Sequence, residues 1–128
     1  MDVLVTIHSV FRWVVLAALA GAAIYGVVRA LRREPWSPGS ARPFAIATVV
    51  LDIQVLIGIV LWILSQGWEA NPFLAIIHPV VMLLAVGVAH VAVRRSRANG
   101  AAPPAYWIAG LGLLGTLALV LAAIPWAS

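Results

Sequence analysis

The chain contains no cysteine. Disulfide bonds, thiolate metal sites, cysteine nucleophiles and the covalent attachment of a c-type haem are therefore excluded. Charge is scarce as well: only 9% of the 128 residues are charged, whereas 64% are hydrophobic. A soluble domain of this length needs more polar residues to cover its surface, so the composition predicts an integral membrane protein in contact with the lipid bilayer. The basic residues are all arginine and flank apolar segments, which favours a role in membrane topology over nucleic-acid binding.

Four apolar segments predict the fold. They extend over about residues 3–31, 44–66, 73–95 and 105–126, and proline and glycine mark the connectors between them. Each segment is long enough to cross about 30 Å of hydrocarbon as a helix. Because the connectors are short, the sequence predicts a single all-α transmembrane domain over residues 1–128, an up-down-up-down four-helix bundle. Positions interpreted as helix-packing glycines are Gly21, Gly26, Gly110, Gly112 and Gly115.

The distribution of arginine predicts the orientation. Arginines flank the first and third connectors, whereas the second contains Glu69 and no basic residue. By the positive-inside rule the first and third connectors are cytoplasmic, so both termini face outward, and we expect the bacterial inner (cytoplasmic) membrane. Aromatic residues then form an outer belt with Trp68 and Trp126, and an inner belt with Tyr25, Trp36, Tyr106 and Trp107.

Two histidines at one depth predict a haem site. His8 and His78 each lie about five residues below the outer start of their helices, or roughly 7–8 Å inside the same face. Each neutral imidazole offers one nitrogen to iron, and two of them on different helices suit the bis-imidazole ligation of one non-covalent b-type haem. The alternative is that each histidine hydrogen-bonds a neighbouring helix or faces interfacial water.

Two charged residues lie deeper in the predicted membrane region. Arg12 is one turn below His8 on the same helix face, and Asp52 is near the middle of the second helix. The vertical gap between the two charges is only about 5 Å, so we expect a buried Arg12–Asp52 ion pair. The alternative is that Arg12 neutralises a haem propionate or a quinone oxygen.

The second and third helices carry further polar and small residues. Gln54 and Gly58 are four residues apart and share a helix face, where glycine permits the close approach of a flat ligand or another helix. His90 is rotated about 120° from His78 and lies near the inner surface, so it cannot join the outer pair. It is interpreted as a polar interface residue with Asp52 as a candidate partner.

The motifs IHSVFRW, QVLIG and IHP, on the first three helices, resemble one half of the haem A synthase family. That family has two similar four-helix halves, each with a haem-ligating histidine on its first and third helices and a glutamine-glycine pattern on its second. The resemblance implies that His8 and His78 ligate haem iron and that Gln54 and Gly58 line the pocket. The family's carboxylate before the first histidine is replaced here by Leu4, and its outer cysteine pair is absent. These departures argue against haem hydroxylation and leave a haem-binding scaffold.

The sequence supports three interpretations of function. The first is a small b-type haem subunit in electron transfer within a respiratory or photosynthetic membrane complex, with His8, His78, Arg12, Gln54 and Gly58 around the cofactor. The second is a cofactor-free accessory subunit of such a complex. The third is a subunit that binds a quinone or lipid in the same pocket. All three place other membrane subunits beside the chain, and none makes it a catalyst on its own.

Overall fold

The computed structural model describes residues 2–99 and 102–125, and the regular structure of this part of the chain is helical throughout. Its four long helices are α1 (Asp2–Leu31), α2 (Arg42–Leu64), α3 (His78–Asn99) and α4 (Ala102–Ala123). The described residues contain four helical spans long and apolar enough to cross a membrane. The prediction of an all-helical protein with membrane-length helices is therefore confirmed, and it suggests an integral membrane protein.

The ends of the helices differ from the predicted bounds by a few residues. The second helix begins at Arg42 and ends at Leu64, while the third continues to Asn99. The fourth begins at Ala102, so Pro103 falls in its first turn. Proline is tolerated there because the amide N–H groups of a first helical turn have no partner inside the helix.

The chain enters α3 through one wider helical turn, Phe73–Ile77, in which hydrogen bonds span five residues instead of four. The N–H of His78 closes this turn on the carbonyl of Phe73. Pro79 explains the widening, because it has no N–H for the carbonyl of Ala75 and its ring would crowd that carbonyl in an ordinary helix. The oxygen of Ala75 instead accepts a hydrogen bond from the indole Nε1 of Trp62, 3.2 Å away.

The helices pack in a ring in which α1 and α3 each contact both α2 and α4. The backbones of α1 and α4 approach closely at Gly26 and Gly110, where a Cβ added to Gly26 would lie 2.7 Å from the Cα of Gly110. Gly112 similarly faces a neighbouring helix, at Ala92. Gly21 and Gly115 do not, because added Cβ atoms there would meet nothing within 4 Å. These last two glycines therefore do not pack against another described helix of this chain.

Tyr106 was predicted to belong to the inner aromatic belt, but it lies in the interior of the bundle. It is fully buried and packs against the rings of Tyr25 and Trp36, with centroids 6.2 and 5.0 Å away. Its hydroxyl lies 2.8 Å from the Ser40 hydroxyl and donates to the carbonyl of Pro35. A buried phenol needs such partners, which the loop between α1 and α2 supplies. Trp68 is half-exposed, as an outer belt residue would be, whereas Trp126 lies outside the described residues.

Candidate functional site

All four helices contribute to a cavity of about 150 Å³. It lies where the first turns of α1 and α3 meet the last turns of α4. The residues that line it are His8, Ser9, Arg12, Val15, Gln54, Leu74, His78, Met82, Val120, Ile124 and Pro125. Four of the five residues predicted to surround a cofactor are therefore brought together around one space.

The fifth predicted residue, Gly58, lies against the imidazole of His8. A Cβ added to Gly58 would be 3.1 Å from Cε1 of His8, which is tighter than an ordinary van der Waals contact. One turn earlier on α2, the side-chain amide Nε2 of Gln54 donates a 2.7 Å hydrogen bond to the backbone carbonyl of His8. Gln54 therefore ties α2 to α1 at the histidine, and Gly58 leaves the ring its space.

The orientation of His78 is fixed from α4. Its Nδ1 lies 2.6 Å from the carbonyl oxygen of Ala123, the last residue of that helix. A carbonyl only accepts, so Nδ1 carries the proton and donates it. The lone pair of the neutral ring is then on Nε2. Histidines that ligate metals are held in this way, with one ring nitrogen bonded to a backbone carbonyl and the other free for the metal.

The two imidazoles face each other across the start of the bundle. The ring centroids of His8 and His78 are 6.4 Å apart, and the ring planes are almost perpendicular, at 87°. Metal–imidazole bonds are about 2.0–2.1 Å long, so two rings on opposite sides of one metal have ligating nitrogens about 4 Å apart and centroids about 6 Å apart. Among the described residues no third histidine or carboxylate joins them in a metal-binding group. A metal between these rings would need its other ligands from a cofactor.

The walls of the cavity hold three polar atoms without a hydrogen-bond partner. They are Nδ1 of His8, Nε of Arg12 and Oε1 of Gln54, and each is buried. A buried polar group left unpaired costs about 1–3 kcal/mol, and folded proteins contain few of them. Hydrogen bonds to a polar ligand or to ordered water would satisfy these three atoms.

The predicted Arg12–Asp52 pair is wrong. Asp52 instead binds His90 on α3, whose Nε2 lies 2.9 and 2.8 Å from the two carboxylate oxygens. The guanidinium of Arg12 lies over the Trp13 ring, 5.1 Å from its centroid. The prediction compared depths and neglected direction around the helix. Asp52 and Gln54 are two residues apart, which separates them by about 200° on α2, so the helix that aims Gln54 at α1 aims Asp52 away from it.

The apolar part of the cavity was not predicted, although the sequence contained a signal for it. Met82 follows His78 by one helical turn, and Val15 lies two turns beyond His8. These positions share a face with the histidines, so extending each predicted ligand by its helical period would have identified them. Leu74 is different, because the wider turn at the start of α3 sets its direction.

Comparison of the chain with models of known protein families, with curated proteins and with solved structures finds no match. The resemblance to haem A synthase therefore stays a prediction from the quoted motifs. Evidence for function comes from the geometry of the cavity.

Proposed function

We propose that this chain is a small integral-membrane subunit that holds one b-type haem between His8 and His78. The observation that supports this most directly is the 6.4 Å separation of the two imidazole centroids. The hydrogen bond from His78 to α4 supports it further, because it leaves Nε2 of that ring free to bind iron. A bound haem supplies one-electron redox chemistry, so we assign the subunit to electron transfer within a respiratory or photosynthetic membrane complex.

The remaining side chains of the cavity have distinct tasks in this proposal. Arg12 provides a positive charge and an unpartnered Nε to a haem propionate. Gln54 holds the His8 segment of α1 against α2. Gly58 keeps the space beside the His8 ring open. A porphyrin is larger than the 150 Å³ cavity, so the proposal requires the cavity to widen around the haem while the two imidazoles keep their separation.

We infer that the bundle is up-down-up-down with both termini on the outer side of the bacterial inner membrane. Three contacts support this order: the start of α1 meets the second half of α2, the end of α2 meets the turn before α3, and the start of α3 meets the end of α4. The arginines beside the first and third connectors support the orientation. The cavity then lies near the outer surface, within reach of a redox partner on that side.

The size of the cavity favours a second candidate, a quinone ring. An apolar cavity of about 150 Å³ is known to hold benzene, so a volume of this size suits one six-membered ring. The two carbonyl oxygens of a quinone would accept hydrogen bonds from donors such as Arg12 and the imidazoles. This site is the same as the proposed haem site, so the two cofactors exclude each other there.

Optical spectroscopy of the purified protein tests the proposal. We expect a reduced-minus-oxidised spectrum with a sharp b-type α-band that His8→Ala and His78→Ala each abolish. The matched control is His90→Gln, which removes the remaining histidine, outside the cavity, and should leave the band unchanged. A featureless wild-type spectrum after purification in excess haem would overturn the haem assignment.

Solvent extraction of the same preparation separates the remaining candidates. A stoichiometric quinone that is lost on Arg12→Gln would establish the quinone site in place of haem. If neither cofactor is found, the chain is a cofactor-free accessory subunit of a larger membrane complex.

A further inference from the structure

A second polar group lies outside the cavity, on the surface of the bundle between α2 and α3. Asp52 and His90 form an ion-pair geometry with an N–O distance of 2.8 Å, and their side chains are 35% and 52% exposed. Asp52 lies well inside its span, near the middle of α2, whereas His90 is one helical turn before Arg94, towards the inner end of α3. In a bilayer the pair would face hydrocarbon, where polar and ionisable groups are costly and are normally turned towards protein or water. Another protein surface or a ligand should therefore cover the Asp52–His90 pair in the membrane.

The surroundings of this pair suit the close approach of another helix. Leu83, Gly87 and His90 follow helical spacing on α3, and Leu56 is one turn beyond Asp52 on α2. Both leucines are more than half exposed. A Cβ added to Gly87 would meet nothing within 4 Å, so the backbone is open to contact from outside. We name these five residues the α2–α3 face.

We propose that the α2–α3 face binds the same face of a second copy of this chain. The argument is one of complementarity. A two-fold axis along the membrane normal keeps every residue at its own depth, so it brings the Asp52 carboxylate of one copy to the level of the partner copy's imidazole. Among the described residues Asp52 engages Nε2 of His90, so Nδ1 of that ring can serve a carboxylate of the other copy. The two carboxylates and the two imidazoles would then form hydrogen bonds across the axis as well as within each chain.

Gly87 also supports the pairing of two copies through the α2–α3 face. Helices associate in membranes through small residues that let the backbones approach and through hydrogen bonds between polar side chains. The α2–α3 face has both features, Gly87 at its centre and the Asp52–His90 pair beside it. A partner of a different sequence would have to supply its own acid and base at this depth, whereas a second copy has them already.

Cysteine crosslinking tests the proposal directly, because the chain contains no cysteine of its own. Gly87→Cys, prepared in native membranes and oxidised with copper phenanthroline, should form a disulfide-linked dimer through the two cysteines near the axis. Gly21→Cys on α1 and Gly115→Cys on α4 are matched controls, because both glycines also open onto empty space. We expect at least fivefold more dimer from Gly87→Cys than from either control.

The role of the polar pair is tested in the same variant. Adding Asp52→Leu and His90→Leu together removes both partners without leaving either one unpaired, and it should reduce the dimer to the level of the controls. Unchanged far-UV circular dichroism would show that the helices remain folded. Equal crosslinking at all three positions, no dimer from Gly87→Cys, an adduct with a different protein in its place, or a dimer that persists without the pair would each overturn the proposal.

Discussion

Replacing Gly26 by alanine tests the close packing of α1 against α4. The added Cβ would lie 2.7 Å from the Cα of Gly110 and 2.9 Å from Cε1 of Phe44. Distances below 3.0 Å do not occur for real Cβ atoms, so something has to move. One obstacle is the backbone of α4 and the other is a fully buried ring, which leaves no flexible side-chain end to absorb the change. We therefore expect α1 and α4 to be forced apart.

The expected change in the free energy of unfolding of Gly26→Ala follows from two opposing effects. Overpacking a filled interior costs about 1–3 kcal/mol, and contact with backbone places Gly26→Ala near the upper end. Alanine in place of glycine stabilises a helix by about 1 kcal/mol. The net expectation is a loss of about 2 kcal/mol in the free energy of unfolding. It can be measured by far-UV circular dichroism as dodecyl sulfate replaces a mild detergent in mixed micelles.

Gly21→Ala is the matched control, since it lies on the same helix and its added Cβ would meet nothing within 4 Å. Only the gain in helix propensity applies there, so the protein should be unchanged or up to about 1 kcal/mol more stable. If Gly26→Ala and Gly21→Ala unfold at the same dodecyl sulfate fraction, the α1–α4 packing described above is incorrect.

Three further predictions concern other contacts. Gly58→Ala should push the His8 ring, which is 3.1 Å from the new Cβ, and so lower the haem content per chain several-fold at unchanged helix content, as measured by the pyridine haemochrome assay. Tyr106→Phe removes a buried hydroxyl with two hydrogen-bond partners and should cost about 1–2 kcal/mol in the same detergent unfolding experiment. A double-mutant cycle between Asp52 and His90 should give a favourable coupling of about 0.6 kcal/mol, the average for hydrogen bonds between membrane helices, and no more than about 1.7 kcal/mol.

Each of these has a matched comparison. A cycle between Asp52 and Arg12 should give coupling near zero, because these two side chains face different directions; a coupling as large as that with His90 would restore the original pairing. Ser40→Ala should be at least as destabilising as Tyr106→Phe, since it removes the hydroxyl that bonds Tyr106 and also accepts from the Ser37 N–H. Gly87→Ala should keep its full haem content, because no neighbour lies within 4 Å of the added Cβ. A loss there equal to that of Gly58→Ala would contradict the steric explanation.

The sequence was sufficient to predict where the four helices lie, because helix formation depends on local properties of each segment. Segment length and apolar composition decide which stretches can cross a bilayer, and both are read directly from the residues. The depth of His8 and His78 could also be obtained by counting residues at a fixed rise. The start of α4 was placed too late, because the prolines near residue 103 were interpreted as a break, whereas a first helical turn accepts them.

The direction in which a side chain points around its helix was harder to predict from the sequence than its depth in the membrane. The partner of Asp52 depends on which neighbour its face meets, and that is fixed only when all four helices pack together. Counting residues gave Arg12 and Asp52 similar depths, yet the rotation that aims Gln54 at α1 carries Asp52 towards α3. Tyr106 shows the same limitation. Its position near a helix end suggested a membrane interface, but the loop that folds over it placed it in the interior.

The two polar groups of the bundle differ in a way that separates their roles. The cavity group is turned inward, and three of its buried atoms have no partner among the described residues. Such an arrangement is stable only if a ligand or water completes it. Asp52 and His90 already bond each other, but their side chains are partly exposed on the outer surface of the bundle. In a bilayer these two side chains would be stabilised by contact with another protein surface, which would keep lipid away from them. A small ligand would not cover them in this way. The unpaired atoms of the first group are therefore consistent with a bound ligand or water, as proposed, whereas the exposure of the second group is consistent with the proposed neighbouring chain.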